Sequence, residues 1–532
     1  MAVLASRLDP RSEAFSANRQ AMTGHLELLD SWLAEARGGG GDKYVSRHLK
    51  RGKMLPRQRV ELLVDRDAPF LELSPVAAAG TDYTAGASLV SGVGVIEGVE
   101  CMILASDPTV RGGSVNPYTL AKMLRAYEIS RANRLPLFFL VESGGIDLER
   151  QVDLFIPGGA MFRNLTRLSA EGIPTVSLVF GNSTAGGAYL PGMSDYVVMV
   201  KDRAKVFLGG PPLVKMATGE ESTDEELGGA DMHARTSGLA DYMAVDEEDA
   251  LRIGRSIAAR LNWRKLGPGP ARPVVEPRFD SEELMGVAPT DLKAPFEIRE
   301  VIARVVDDSD LDEFKPLFGS NLVTGWAAIH GFDCGILAND RGVLFSQEAQ
   351  KAAQFIQLAN QANVPLVFIQ NVTGYMVGRE YEQGGIIKHG ALMVNAVSNS
   401  TVPHITLQVG GSYGAGNYGM AGRAFEPRFL FLWPNARTAV MGAEQLAGTM
   451  SLVARRAAES RGEQFDEEAD EIRRAELAER IESESDAVYT SARVLDDGII
   501  DPRDTRTVLG IALSAVHSNV VEGAEGFGVF RM

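Results

Sequence analysis

Cysteine is almost absent. Two, Cys101 and Cys334, stand in 532 residues. That is too few for a disulfide framework, so a reducing cytoplasm is the expected compartment. No CxxC pair occurs, and the seven histidines form no HExxH or HxH pair, which removes the common zinc signatures and leaves no metal site to expect. GxxxxGK[ST] is missing, so there is no P-loop. No apolar run approaches the ~20 residues of a membrane span, and the start, MAVLASRLDPRSEAF, lacks a signal-type apolar stretch. Positive charge is also short: the net charge is −17, which disfavours nucleic acid as a partner. A small anionic ligand needs only a local basic group or helix N-termini and stays possible.

What the chain does have is a repeat. Leu89 to Asp107 reads LVSGVGVIEGVECMILASD, and Leu322 to Asp340 reads LVTGWAAIHGFDCGILAND. An offset of 233 separates Leu89 from Leu322, and Cys101 from Cys334. Further on, LPLFFLV (Leu135 to Val141) matches VPLVFIQN (Val364 to Asn371), and IPTVSLVFG (Ile173 to Gly181) matches VPHITLQVG (Val402 to Gly410). There the offset is 229, from Pro136 to Pro365 and from Pro174 to Pro403. A fixed repeat of this length predicts two copies of one domain, and the total length suits two cores better than one.

Within each copy, short apolar runs alternate with helical patterns, as in an α/β fold with buried parallel strands. The first copy predicts strands at Leu89–Ile96 and Cys101–Ala105 and a helix from Pro117 to Ala132. Residues 1 to about 85 read as a helical and loop prologue. Its basic stretch RHLKRGKMLPRQRVELLVD (Arg47 to Asp65) reads as a solvated helix that holds an arm on the body. LGPGPARPVVEP (Leu266 to Pro277) reads as a linker, and Gly462 to Asp486 as a charged, solvated helical insertion.

Each copy places glycines directly after a buried strand: GNSTAGGAYLPGMSD (Gly181 to Asp195) and GGSYGAGNYGMAGRAFEP (Gly410 to Pro427). Small residues at such a turn let a ligand reach unpaired backbone amides, which can stabilise an oxyanion. The alternative is close helix packing with no ligand; two clusters at matching positions favour function. Gly414 to Gly419 also fits GxGxxG. No acid lies between Glu426 and Glu444 where a dinucleotide fold wants one, so that reading is set aside. Gly410 to Gly414 fits GxSxG, with Asp501 and His517 following in hydrolase order. The matching Ser183 has no such histidine, and His517 reads better as a packed residue. A serine hydrolase using Ser412 stays as the minor alternative. Two further loops follow strands, Asp107 to Ser114 and Ser143 to Gly145. They could frame a phosphate or thioester, with Arg111 as the charge partner. Lys201, Lys205 and Lys215 follow the first cluster and could meet phosphates, although each taken singly reads as an ordinary surface lysine.

At these residues the chain resembles a known family, the carboxyltransferase β subunit of biotin-dependent acyl-CoA carboxylases. The resemblance runs from about Lys43 to Met532. It rests on RGKMLPRQRVELLVD, SDPTVRGGS, TAGGAYLPGMSD, FLGGPPLVKMATGE, LGGADMHARTSG, GSYGAGNYGM and WPNARTAVMG. GNSTAGGAY and GSYGAGNYGMAGRAF are most similar to the methylcrotonoyl-CoA and geranyl-CoA branch. The resemblance implies two tandem crotonase-like ββα-spiral domains, at residues 20–276 (acyl-CoA side) and 277–525 (biotin side). It implies a catalytic set of Gly186 and Gly187, whose amides hold the thioester oxygen, and Gly414 and Ala415, whose amides hold the biotin ureido oxygen. Arg111, Gly112, Gly113, Ser143, Gly144, Gly145, Thr184, Ala185, Tyr413, Gly416, Asn417 and Tyr418 would line the two ligands.

The implied reaction moves a carboxyl group from carboxybiotin to an acyl-CoA through an enolate, with the freed ureido group taking the proton. The substrate is expected to be 3-methylcrotonyl-CoA, with acetyl-, propionyl- and geranyl-CoA close behind. The same fold can also serve a decarboxylase or transcarboxylase. No AMKM-like biotinylation motif occurs, so biotin would visit on a separate biotin carboxylase/biotin carrier α subunit. The core would be a homohexamer, with each site formed where two subunits meet.

Overall fold

A computed structural model describes residues 2–289, 291, 294 and 296–531. The repeat becomes two eight-stranded sheets of one design. In the first, Leu89–Ile96 pairs antiparallel with Val99–Ser106. Leu137–Ser143, Thr175–Thr184 and Tyr196–Val200 then add in parallel. In the second, Leu322–Ile329 and Phe332–Asn339 form the antiparallel pair, and Leu366–Val372, His404–Tyr413 and Phe429–Leu432 add in parallel. Expected and observed strands agree to within about three residues at their ends. The expected helix from Pro117 runs to Asn133, and its counterpart is Ser346–Ala362. The inner strands are buried on both faces, as parallel strands covered by helices must be.

The two sheets share one core. Phe139, Val179 and Met199 from the first join Ile336, Val367, Ile405 and Trp433 from the second, with Leu509 and Leu513 of the helix Thr505–Val516. Separate clusters fill the outer faces, one around Phe138, Phe180, Leu63 and Leu251, the other around Phe355, Phe368 and Met393. A buried ion pair also ties the halves: Arg125 donates to both oxygens of Asp497, at 2.8 and 2.9 Å. The chain's start docks on the second half. Ala2–Val3 extends the second sheet, and Phe15 of the helix Glu13–Gly38 lies over Gly286, where a Cβ would come within 2.3 Å of its ring.

Two readings of the prologue and the insertion meet different outcomes. Gly462 to Asp486 contains the exposed helix Glu467–Glu484, which lies against Ala443–Arg461. The basic stretch differs from its expectation. It forms two short helices, Asp42–Lys50 and Pro56–Leu63, and its Arg59 is completely buried. A guanidinium tolerates that only with charged partners, and it has two, Glu142 and Glu247.

Candidate active site

Each glycine cluster sits where its sheet splits. The strand Thr175–Thr184 pairs with Tyr196–Val200 along its first half and with Lys205–Phe207 along its last three residues. His404–Tyr413 does the same with Phe429–Leu432 and Arg437–Ala439. The backbone then turns through a left-handed residue, Ala185 at φ 53° and Gly414 at φ 53°. These two stand 229 apart, the offset of their strands. Ala415 and Gly416 are thus the counterparts of Gly186 and Gly187. Left-handed φ is costly for alanine, so Ala185 marks a turn held by its surroundings. A helix opens at once in both, Ala185–Ala188 and Gly414–Gly419, and the first amides of a helix have no acceptor within it.

Side chains fix each turn differently. Ser183 Oγ donates to the Gly187 carbonyl at 2.9 Å. Ser412 Oγ, fully buried, donates to Gln370 Oε1 at 2.7 Å and accepts from Asn417 Nδ2 at 2.8 Å. Gln370 Nε2 in turn donates to the Met420 carbonyl. Ser412 is therefore a strut. His517 stacks on Phe332 at 4.8 Å with Nδ1 against the Leu513 carbonyl, and burial holds its ring below the usual histidine range. Asp501 pairs with Arg503. The geometry does not assemble a Ser-His-Asp triad.

The other loops of the first half do converge. Gly144 N donates to the Gly112 carbonyl at 3.0 Å, and Val115 N to the Gly145 carbonyl at 2.8 Å. A Cβ on Gly113 would fall 2.3 Å from the Glu142 carbonyl. Gly145, at φ 103°, faces Thr184. Ser143 is in register with Ser183, just past a shift in strand pairing. Arg111 is half-exposed and engaged, over the Tyr83 ring at 4.7 Å and 3.5 Å from Asp147. Lys215 pairs with Glu221 and Lys205 with Glu225. On the second half, Tyr413 borders a cavity of about 450 Å³ with Thr373, Asn435 and Arg437. Tyr418 is half-exposed against Phe425.

Large apolar side chains stand in solvent on both halves. Val152, Phe155, Ile156, Leu208 and Met216 do so on the first half, and Val377, Ile387, Val440, Leu452 and Val453 on the second. A Cβ on Gly414 would fall 3.1 Å from the Val440 carbonyl. Among the described residues no helix is long and apolar enough to cross a membrane, and no group of three His, Cys, Asp or Glu is placed to hold a metal.

The family model for the carboxyl transferase domain matches residues 47–527. The chain belongs to the carboxyl transferase family. Among its relatives is a probable biotin-dependent acyl-coenzyme A carboxylase beta2 subunit of Mycobacterium tuberculosis, 64% identical over the whole of both chains. The biotin-dependent 3-methylcrotonyl-coenzyme A carboxylase beta1 subunit of the same organism is 48% identical, covering 95% of this chain and 96% of that one. The crystal structure of the geranyl-CoA carboxylase beta subunit of P. aeruginosa superposes with a TM-score of 0.89 at 43% identity and full coverage of both chains. The activity class follows: this carboxyltransferase is an acyl-CoA carboxyltransferase, of the β-subunit type found in biotin-dependent acyl-CoA carboxylases.

Sequence reasoning missed a part of this carboxyltransferase that touches the site. Glu142, buried at the end of Leu137–Ser143, is held by Lys53 and Arg59 of the prologue. Burial alone would raise its carboxyl, but the two cations outweigh burial and hold it below the usual range. The signal was present in RGKMLPRQR, whose basic residues looked like a solvated face.

Proposed function

We propose that this carboxyltransferase accepts the carboxyl group of carboxybiotin, brought by a separate biotin-carrying α subunit, and places it on 3-methylcrotonyl-CoA. In the proposed division of labour, residues 20–276 bind the thioester and residues 277–525 the biotin. The observation that carries this is the matched pair of turns, each opening a helix on a left-handed residue. Removing a proton from an acyl thioester puts negative charge on its carbonyl oxygen. The Gly186 and Gly187 amides meet that charge, and such donors stabilise the transition state more than the ground state. The branch-like clusters and the 48% identity to a 3-methylcrotonyl-CoA carboxylase subunit support the substrate. In such an unsaturated thioester the charge delocalises, so carboxylation falls on the γ carbon.

The amides from Gly414 to Gly416 suit a ureido oxygen, since they are neutral donors at the end of a sheet whose strands part. Biotin, when bound there, supplies an activated carboxyl group. Ala415 keeps its N–H although it carries a methyl group. Thr184, Ala185 and the loops Arg111 to Gly113 and Ser143 to Gly145 surround the thioester. Tyr413, Asn417 and Tyr418 surround the biotin. The exposed apolar side chains on both halves support a site completed by a second copy, with one subunit's first turn facing its partner's second, within a homohexamer.

Reconstitution with the α partner tests the reading. ATP-dependent fixation of labelled bicarbonate should run fastest with 3-methylcrotonyl-CoA in a panel that includes acetyl-, propionyl- and geranyl-CoA. Faster fixation with another thioester would overturn the substrate assignment.

A further inference from the structure

The two halves clamp the same junction in two ways. In the second half Asn371 is next to last in the strand Leu366–Val372, and its Oδ1 accepts from Gly411 N at 3.2 Å. One neutral side chain thereby ties two parallel strands where their pairing shifts. A Cβ on Gly410 would come within 2.4 Å of that oxygen, so the amide lies directly on the neighbouring backbone. By the offset of 229, the first-half counterpart of Asn371 is Glu142, and that of Gly410 is Gly181. Glu142 also lies on the neighbouring backbone: a Cβ on Gly181 would fall 2.6 Å from its Oε1.

Glu142, by contrast, reaches the next strand through a cation that bonds both its carboxylate and a backbone carbonyl. The first half imports cations from the prologue. Lys53 Nζ donates to Glu142 Oε1 and, at 3.3 Å, to the Phe180 carbonyl on the next strand. Arg59 donates to Glu142 Oε2 at 2.8 Å and to Glu247 at 2.9 and 3.1 Å. Its guanidinium lies 4.4 Å from the centre of the Phe180 ring. Arg203 closes the group on Glu247 at 3.2 Å. The strand that carries Phe180 and Gly181 runs straight into the turn at Ala185, and the strand that carries Glu142 runs into Ser143–Gly145.

We propose that Glu142, held by Lys53 and Arg59, is a positioning residue for the first-half glycine turn, and that the prologue's basic stretch builds this clamp. The inference rests on the carboxyltransferase reading above. In this role Glu142 acts through the turn, since its carboxylate is engaged by Lys53 and Arg59. It sets the strand end from which the Gly186 and Gly187 amides are aimed, so its loss acts on the transition state more than on binding.

The test uses the full chain and two readouts. The first is biotin-dependent release of labelled CO2 from the γ-carboxylated thioester. The second is deuterium uptake by backbone amides. Glu142→Gln keeps the shape and removes the charge. It should lower kcat at least about tenfold with KM for the thioester unchanged, and raise uptake in residues 181–188 while 410–419 stays as in the wild type. Lys53→Gln added to Glu142→Gln should recover part of the lost rate, because it removes the cation left without its partner. Where Glu142→Gln does not fold, Lys53→Gln alone, at the rim of the cluster with 16% side-chain exposure, should give the same local loosening. An unchanged kcat with unchanged uptake overturns the proposal, as does uptake rising equally in both halves. A wild type that releases no CO2 overturns the carboxyltransfer reading instead, and the uptake measurement still decides the clamp.

Discussion

Asp496→Asn should make this protein more stable, and more so as the pH rises. Asp496 is 1% exposed. Its Oδ1 accepts from Ser491 Oγ at 2.8 Å and from Gly498 N at 2.9 Å, while Oδ2 has no partner. Burial, with the Asp497 carboxylate beside it as a lesser cause, pushes its carboxyl from 3.8 up to about 7. Between those values the folded chain keeps a proton that the unfolded chain has already lost. Stability therefore falls as the pH climbs from about 4 to about 7, then stays flat. The gap from 3.8 to about 7, at about 1.4 kcal/mol per pH unit, amounts to roughly 4 kcal/mol. About 3 kcal/mol of that falls between pH 5 and pH 8. Asparagine cannot ionise and keeps the Oδ1 acceptor. Urea unfolding of wild type and variant at one protein concentration, at pH 5 and pH 8, isolates the term. The variant's advantage should grow by about 3 kcal/mol across that range. An advantage that does not change with pH would show that Asp496 is ionised in the folded protein, and would refute the reasoning.

Three other outcomes follow from the same contacts. Asp497→Asn removes the counter-charge of Arg125 and Arg423, both of which pair with it, and should cost about 3–5 kcal/mol in urea unfolding, as breaking a buried pair does. Ser412→Ala should leave kcat within a few-fold while costing about 1–3 kcal/mol of stability, because Gln370 and Asn417 lose their shared partner; a fluorophosphonate probe should not label the wild type at Ser412. Gly187→Pro removes one amide donor from the first turn and should abolish carboxyl transfer with a near-native unfolding midpoint; full activity would remove Gly187 from the site.

The doubled sequence made most of the architecture readable, because strand burial on both faces writes itself as apolar runs. The antiparallel pair Leu89–Ile96 and Val99–Ser106 needed only its own residues. Arg59 shows where that legibility stops. Its partners lie 83 and 188 residues away, and nothing local distinguishes a solvated arginine from one buried between two carboxylates. The turns were legible as glycine clusters, but their conformation was not. Ala185 adopts the left-handed backbone that glycine takes at Gly414, so composition alone could not align one turn with the other. The buried lysines Lys122 and Lys351 were also missed, although they keep the offset of 229. Each donates to a carbonyl that opens its half's first long strand, Leu89 and Leu322, and each is lowered by burial, to about 7 and about 8.

The central claim is that two backbone turns, one per half, hold the carbonyl oxygens of the two molecules between which a carboxyl group moves. Its most direct test is the release of labelled CO2 from γ-carboxylated 3-methylcrotonyl-CoA by the chain alone, with and without free biotin, in wild type, Gly187→Pro and Ala415→Pro. The account predicts release that requires biotin and disappears in both folded variants. Release without biotin, or release that survives both substitutions, would contradict it.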